Sequence, residues 1–379
     1  MALALTTAAA CGPRPAAHPT DTALGTGGAG SGRNGKGRGG DAERDDASTN
    51  PVVQIDVGDF HSCAVRKKGD VFCWGRNRAG QVAPGTEADR PHPVRVPGVE
   101  GATRVALSST YSCALLAAGE VMCWGSGKLL ADGQHRALVP PTRVPGIRGA
   151  KDLVAGGYLT CAALESGAVR CWGMDMEAAE RGGGVQGVVE LAVSGSHACA
   201  RLSRGRIRCF GSLPWNPGGP VSFSDPGIEG ALAVATGDAF ACVLVPGGRV
   251  SCWGRNDQGE LGRPPDEDYQ LTPREVAGIE GARAIAAGEA HLCAIFDGGT
   301  ARCWGANTKG ELGSGKPPSA SELPQDVRGL VGAAEISIAS EHACARLTNG
   351  QVQCWGANGS GQLGDGTETD RLTPVATKL

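Results

Sequence analysis

GEAHLCAIFDGGTARCWGANTKGELG, residues 288–313, sets two cysteines ten residues apart, with glycine six residues after the first and Trp-Gly directly after the second. Gly299 sits between two apolar segments, where a hairpin turn needs positive φ, as in a type I turn followed by a left-handed glycine. The stretch therefore reads as a β-hairpin. Centring the turn there places Cys293 opposite Cys303 on antiparallel strands, and directly opposed residues lie about 4.5 Å apart at Cα, within disulfide reach. Ala301, two residues before the second cysteine, shares its face.

The unit recurs along the chain. The cysteines pair as Cys63 with Cys73, Cys113 with Cys123, Cys161 with Cys171, Cys199 with Cys209, Cys242 with Cys252, Cys293 with Cys303 and Cys344 with Cys354. Successive first cysteines are 50, 48, 38, 43, 51 and 51 residues apart. Such a period is that of a propeller blade or a comparable solenoid unit. An apolar segment precedes each hairpin, as in VVQIDVG at 52–58, and several repeats end on a proline-led strand: PVRV at 93–96, PTRV at 141–144, PVSF at 220–223 and PVATKL at 374–379. Four strands per repeat and seven repeats predict an all-β fold, a seven-bladed β-propeller of four-stranded blades, because radial repetition leaves few exposed sheet edges. The last strand is expected to complete the blade begun at Val52, closing the ring by pairing the N- and C-terminal strands.

Among the repeats, the residue two before the first cysteine is histidine in only four copies (His61, His197, His291, His342), and Trp gives way once to Phe210, yet neither cysteine is ever lost. Independent buried thiols would drift to Ala or Val; a covalent pair ties both members together. Seven disulfides follow, each closing a loop worth roughly 2.5–3 kcal/mol in the chain-entropy model. They imply an oxidising, extracytoplasmic compartment. The leftover Cys11, preceded by Ala8, Ala9 and Ala10, resembles the end of a bacterial lipoprotein signal and is the expected lipidation site of a secreted or cell-envelope protein. Residues 1–11 are read as a truncated signal-like segment, 12–50 as a disordered Gly/Pro-rich linker too polar to offset its ordering entropy, and 51–379 as the propeller.

The unit G-x-x-H-x-C-A-L, glycine turn, V-x-C-W-G, N-x-x-G-E-L-G resembles the repeat of the regulator of chromosome condensation family over residues 52–379, with close copies at 288–313 and 338–366. The resemblance implies a seven-bladed propeller. Its members include nucleotide-exchange factors for small GTPases, chromatin binders, light sensors and secreted inhibitors of enzymes, so activity must be read from the site. The third and fourth repeats replace N-x-x-G-E-L-G by MDMEAAERGGG (174–184) and SLPWNPGG (212–219), and the paired cysteines are not part of the intracellular family pattern.

A net charge of −3 over 379 residues supplies no field that would draw the chain onto nucleic acid or an anionic membrane. Gly25–Gly30 matches G-x-G-x-x-G within the linker, with no strand before it or helix after it, which rules out dinucleotide binding. No nucleophile-elbow, zincin or P-loop sequence occurs. The histidines near the cysteines lie on different blades and read as hydrogen-bonded structural residues; no metal or cofactor is expected. Trp74, Trp124, Trp172, Trp253, Trp304 and Trp355 recur with the repeat and read as blade packing. Phe60, Tyr111, Tyr158, Trp215 and Phe240 fall in turns and loops and are the candidate partner-binding residues, since aromatics on a rigid loop face anchor interfaces. The expected function is a non-catalytic extracytoplasmic protein-binding propeller, surface-tethered, with a secreted enzyme inhibitor and a guanine-nucleotide exchange factor as alternatives.

Overall fold

The computed structural model describes residues 49–126, 139–173, 184–195, 197–213, 215 and 224–379; Cys11, the 12–48 part of the linker and the proline-led segment at 220–223 lie outside them. The first blade is β1 (Val52–Val57), β2 (His61–Arg66), β3 (Val71–Gly75) and β4 (Arg90–Arg95), an antiparallel meander in that order. Six further sheets start at Ala102, Ala150, Val188, Ala233, Ala282 and Ala333 and make a seven-bladed propeller. Five sheets have four strands; blades three and four show three strands among the described residues. In blade four Ser224 bridges Cys209, where other blades pair their outermost strand. That strand carries Pro91 and Pro93 in blade one and Pro374 in blade seven, because an edge strand need not donate every N–H.

The ring does not close as expected. Strand Arg371–Ala376 pairs with Val352–Gly356 inside the last blade, and β1 pairs only with β2, so every blade is one continuous stretch of chain. The two ends meet through side-chain packing and hydrogen bonds between blades instead. Ala339, Cys344 and Val352 of blade seven pack with Ile55, Ala64 and Trp74 of blade one, and Val57 N donates to Ser337 Oγ (3.1 Å). A blade needs its neighbours to cover both faces of its sheet, and here packing together with hydrogen bonds across the seam, among them Gly366 N to Pro91 O (3.0 Å), meets that need without a shared sheet.

The core consists of seven wedges, each between consecutive blades. The aromatic after each second cysteine fills the wedge shared with the preceding blade: Trp124 lies among Val65, Val71 and Cys73 of blade one, and Trp355 among Ile295 and Ala301 of blade six. Each such ring buries on the order of 200 Å², worth about 5 kcal/mol at 25 cal/mol per Å² before entropy and cavity terms.

In every blade the two cysteines are register partners on the second and third strands, where directly opposed side chains share a face. Disulfides join Cys63 to Cys73, Cys113 to Cys123, Cys161 to Cys171, Cys199 to Cys209, Cys242 to Cys252, Cys293 to Cys303 and Cys344 to Cys354. Their Cα separations run from 3.9 to 4.1 Å. Cys123, Cys252 and Cys354 are wholly interior, as are most of the others; Cys171 alone is only half-buried, in blade three.

The glycine of each Trp-Gly explains why the turns before the first cysteines stand where they do. Gly305 has φ +103, and a Cβ there would lie 2.4 Å from the Ala290 carbonyl oxygen; Gly75 repeats this against Phe60 O at 2.6 Å. Only glycine lets the third strand run under the turn between the first and second.

Beyond the Trp-Gly, Asn77, Asn256, Asn307 and Asn358 are buried and build the next loop. Each Oδ1 accepts the backbone N–H five residues on, at Val82, Leu261, Leu312 and Leu363 (2.9–3.2 Å). The loop then holds out a carbonyl, that of Gln81, Glu260, Glu311 or Gln362, to the Trp Nε1 of the next blade at 2.8–3.1 Å.

Candidate functional site

The inner strands converge on one axis, and their turns ring its mouth. The residues six before each first cysteine, Val57, Leu107, Ala155, Val193, Thr236, Ala287 and Ile338, all line one cavity of about 180 Å³. The next ring outward, four before the cysteine, contributes Asp59, Ser109, Gly157, Gly195, Asp238 and Glu289. Gly157 and Gly195 both have φ +54, and a Cβ on Gly157 would meet Gly195 Cα at 2.8 Å, so the third and fourth blades close up on that side. The acids occupy the remaining arc.

Asp59 accepts a hydrogen bond from Ser109 Oγ, and Asp238 N donates to Glu289 O (2.9 Å). Burial raises the Asp59 carboxyl, and the charge of Asp238 adds to the rise. Glu289 is pushed up to about 7 by desolvation and then by Asp59, Asp238 and Glu341. Three other carboxylates on the inner strands are compensated: Asp152 by Arg104 (3.1 Å), Glu190 by Arg201 (2.7 Å) and Glu335 by Arg346 (3.0 Å). The acids of the mouth have no ion-pair partner among the described residues. Deeper on the axis, Asp56 ties three blades together, accepting from Ser337 Oγ (2.7 Å) and Leu107 N (2.8 Å), and burial raises its carboxyl to about 7.

Of the five candidate aromatics, the structure brings two to this face. Tyr158 is 52% exposed and lines the mouth; Phe60 is half-buried under the Arg76 guanidinium, 3.9 Å from its ring centre. Tyr111, Phe240 and Trp215 are interior, at 0%, 0% and 3% exposure. Tyr111 and Phe240 stand one residue later in the turn than Phe60 and Tyr158, and strand alternation turns that position inward. Trp215 packs edge-on against His197, with ring centres 4.8 Å apart. These three are corrected to packing residues. The acids were missed because each repeat supplies at most one of them there and only the ring assembles the set.

The histidines divide into two kinds. His61 Nε2 meets Ser112 Oγ (2.8 Å), whose hydroxyl donates to Gln81 O (2.8 Å); that carbonyl also accepts from Trp124 Nε1 (2.8 Å). A carbonyl only accepts and the serine has one proton, so the imidazole carries its proton on Nε2. His342, Ser62, Gln362 O and Trp74 repeat the relay between blades seven and one. His197 and His291 face Ala241 and Ala343 at the serine position, and both their ring nitrogens are buried without a partner. The expectation of hydrogen-bonded histidines therefore holds for two of the four. Among the described residues no group of three or more His, Cys, Asp or Glu is placed to hold a metal ion.

Comparison with known proteins places the repeat. Residues 52–81, 232–260, 282–311 and 334–362 match a model of the Regulator of chromosome condensation (RCC1) repeat, and 68–115 and 247–295 match a second model of it. The first set falls in blades one, five, six and seven, the four with the Asn-built loop. The Ultraviolet-B receptor UVR8 of Arabidopsis thaliana is 34% identical over 125 residues, 32% of this chain and 28% of that protein. The probable E3 ubiquitin-protein ligase HERC3 of Homo sapiens is 34% identical over 117 residues, 30% of this chain and 11% of that protein. The match thus spans less than a third of either relative. Prp20p from Saccharomyces cerevisiae, whose structure was solved with its binding properties to Gsp1p and histones, superposes with TM-score 0.52 at 20% identity, over 86% of this chain and 76% of that one. The CRINKLY ectodomain of the Arabidopsis thaliana receptor kinase ACR4 gives 0.51 at 21%, over 81% and 95%. At these identities the structures share the fold.

Proposed function

We propose that this ring is a non-catalytic scaffold that binds another protein outside the cytoplasm, tethered to the cell envelope by lipid on Cys11 through the 12–50 linker. The observation that carries the reading is the set of seven disulfides, one per blade at a single register. Such covalent pairs persist in oxidising compartments, and here they hold rigid the hairpins that carry the loop face. Binding is the use that fits: solved propellers of this fold include Prp20p, described with its binding to Gsp1p and histones, and a receptor-kinase ectodomain. Tyr158 and Phe60, beside the axial mouth, are the anchors assigned to this face.

Mass spectrometry and thiol counting on protein from the membrane fraction test the reading. The expected result is no free thiol at the fourteen ring cysteines and a diacylglyceryl modification on Cys11. Fourteen alkylatable thiols in the native protein would exclude the extracytoplasmic assignment, and an unmodified Cys11 would remove the tether.

A further inference from the structure

We propose that the axial mouth receives a single arginine or lysine side chain presented by a protein partner, with Asp59, Asp238 and Glu289 pairing its charge and Thr236 hydrogen-bonding its head group. The inference rests on the scaffold reading above and names the partner's chemistry.

Size restricts the occupant first. A cavity of about 180 Å³ is smaller than the roughly 300–1,000 Å³ of small-molecule sites; it suits one extended side chain.

Charge restricts it next. Three acids converge on the opening from blades one, five and six, with no cation paired to any of them among the described residues, whereas Asp152, Glu190 and Glu335 farther along the inner strands each pair with an arginine. Carboxylates held together without compensation repel one another, and an incoming cation relieves that repulsion.

The wall supplies an independent indication. Six of the seven residues in the ring below the acids are Val, Leu, Ala or Ile, and the exception is Thr236. Thr236 is 4% exposed, and its Oγ1 is buried without a hydrogen-bond partner. A buried hydroxyl left unpaired costs free energy that a donor entering the cavity recovers. An arginine or lysine meets all three conditions: a slender side chain that fits the cavity, a positive head for the acids, and N–H donors for the threonine just below them.

Fluorescence anisotropy on the full chain, with a fluorescein-labelled hexa-arginine peptide and its hexa-citrulline counterpart, tests this. The arginine peptide is expected to bind and the neutral isostere not. The triple variant D59N/D238N/E289Q should weaken binding by at least about tenfold, equivalent to 1.4 kcal/mol. Thr236→Val, which leaves the charge unchanged, should weaken it by about threefold, as for one neutral hydrogen bond. D266N/E267Q/D268N, on the exposed outer strand Asp266–Glu275, should have no effect. If the triple variant melts lower than the native ring, Asp238→Asn alone, at an exposed position, carries the test. Equal weakening by the outer-strand variant would overturn the proposal by showing a bulk-charge effect. Spermidine competing as tightly as the peptide would overturn it in favour of a free polyamine. A native partner retained at full affinity by the mouth variants would also overturn it, leaving the scaffold reading standing.

Discussion

Replacing Ser112 by alanine cuts the relay between the first two blades at its centre. The hydroxyl both accepts from His61 Nε2 and donates to Gln81 O, each at 2.8 Å. The carbonyl keeps its bond from Trp124 Nε1, so its loss is small. His61 fares worse: its Nδ1 already has no partner and the ring is fully buried, so the variant leaves a second nitrogen unpaired. An orphaned buried donor costs about 1–3 kcal/mol, and we expect about 2 kcal/mol, seen as a fall of a few degrees in Tm for a domain of this size. Urea unfolding under non-reducing conditions, with unchanged m, is the assay. The protein contains its own control, because the junction of blades three and four carries Leu159 and Ala198 at these positions, both fully buried. The double variant H61L/S112A should therefore recover most of the loss, since replacing both partners by apolar groups is nearly neutral. The converse variant Ala343→Ser supplies a hydroxyl between His291 and Glu311 O and should gain about 1 kcal/mol. The reasoning is refuted if Ser112→Ala unfolds within about 0.5 kcal/mol of the native ring, the ordinary scatter of neutral substitutions.

Removing one disulfide as C293A/C303A should cost about 2.5–3 kcal/mol in the chain-entropy picture; urea midpoints measured with and without reductant check it, and the variant should respond less to reductant than the native chain. Gly305→Ala forces a Cβ to within 2.4 Å of Ala290 O at φ +103, and should cost at least about 2–3 kcal/mol, measured in the same unfolding assay. Burial holds His197 and His291 down to about 4 in the folded ring, against about 6.5 unfolded. Their neutral forms thus contribute stability that is complete above pH 6.5 and is lost as pH falls toward 4. His291→Phe should flatten the stability–pH slope between pH 4 and 6.5 by about 1.4 kcal/mol per pH unit, and an unchanged slope in urea titrations across that window would contradict the assignment. Asp56 and Glu289, raised to about 7, act in the opposite sense: they bind protons more tightly when folded, and the stability linked to that uptake is lost as pH rises through 7. The variant must therefore be compared with the native chain at each pH.

The cysteine spacing, the turn glycines and the Trp-Gly pairs made the blades legible because each acts within one hairpin, where ten residues of chain fix the geometry. Closure was not legible. A proline-led strand at 374–379 reads equally as the partner of β1 or of its own hairpin, and the choice is made by packing across the ring. The same limit hid the acids: Asp59, Asp238 and Glu289 are separated by 179 and 51 positions and become neighbours only when the inner strands share an axis. Tyr111 and Phe60 were equivalent as aromatics near a turn. One step of strand register sends the first inward to Thr160 and leaves the second at the surface.

Because each blade is a single uninterrupted stretch and the seam is bridged by the same His–Ser–carbonyl–Trp relay as the junction of blades one and two, the ring has no clasp and no privileged first blade. Leu379 packs in the wedge that contains Val52. Connecting the end of the chain to its start and opening it instead between blades five and six, after Val276, would keep every sheet whole. Such a circular permutant should form the same seven wedges, and units of this kind can be gained or reordered by duplication without re-threading any strand.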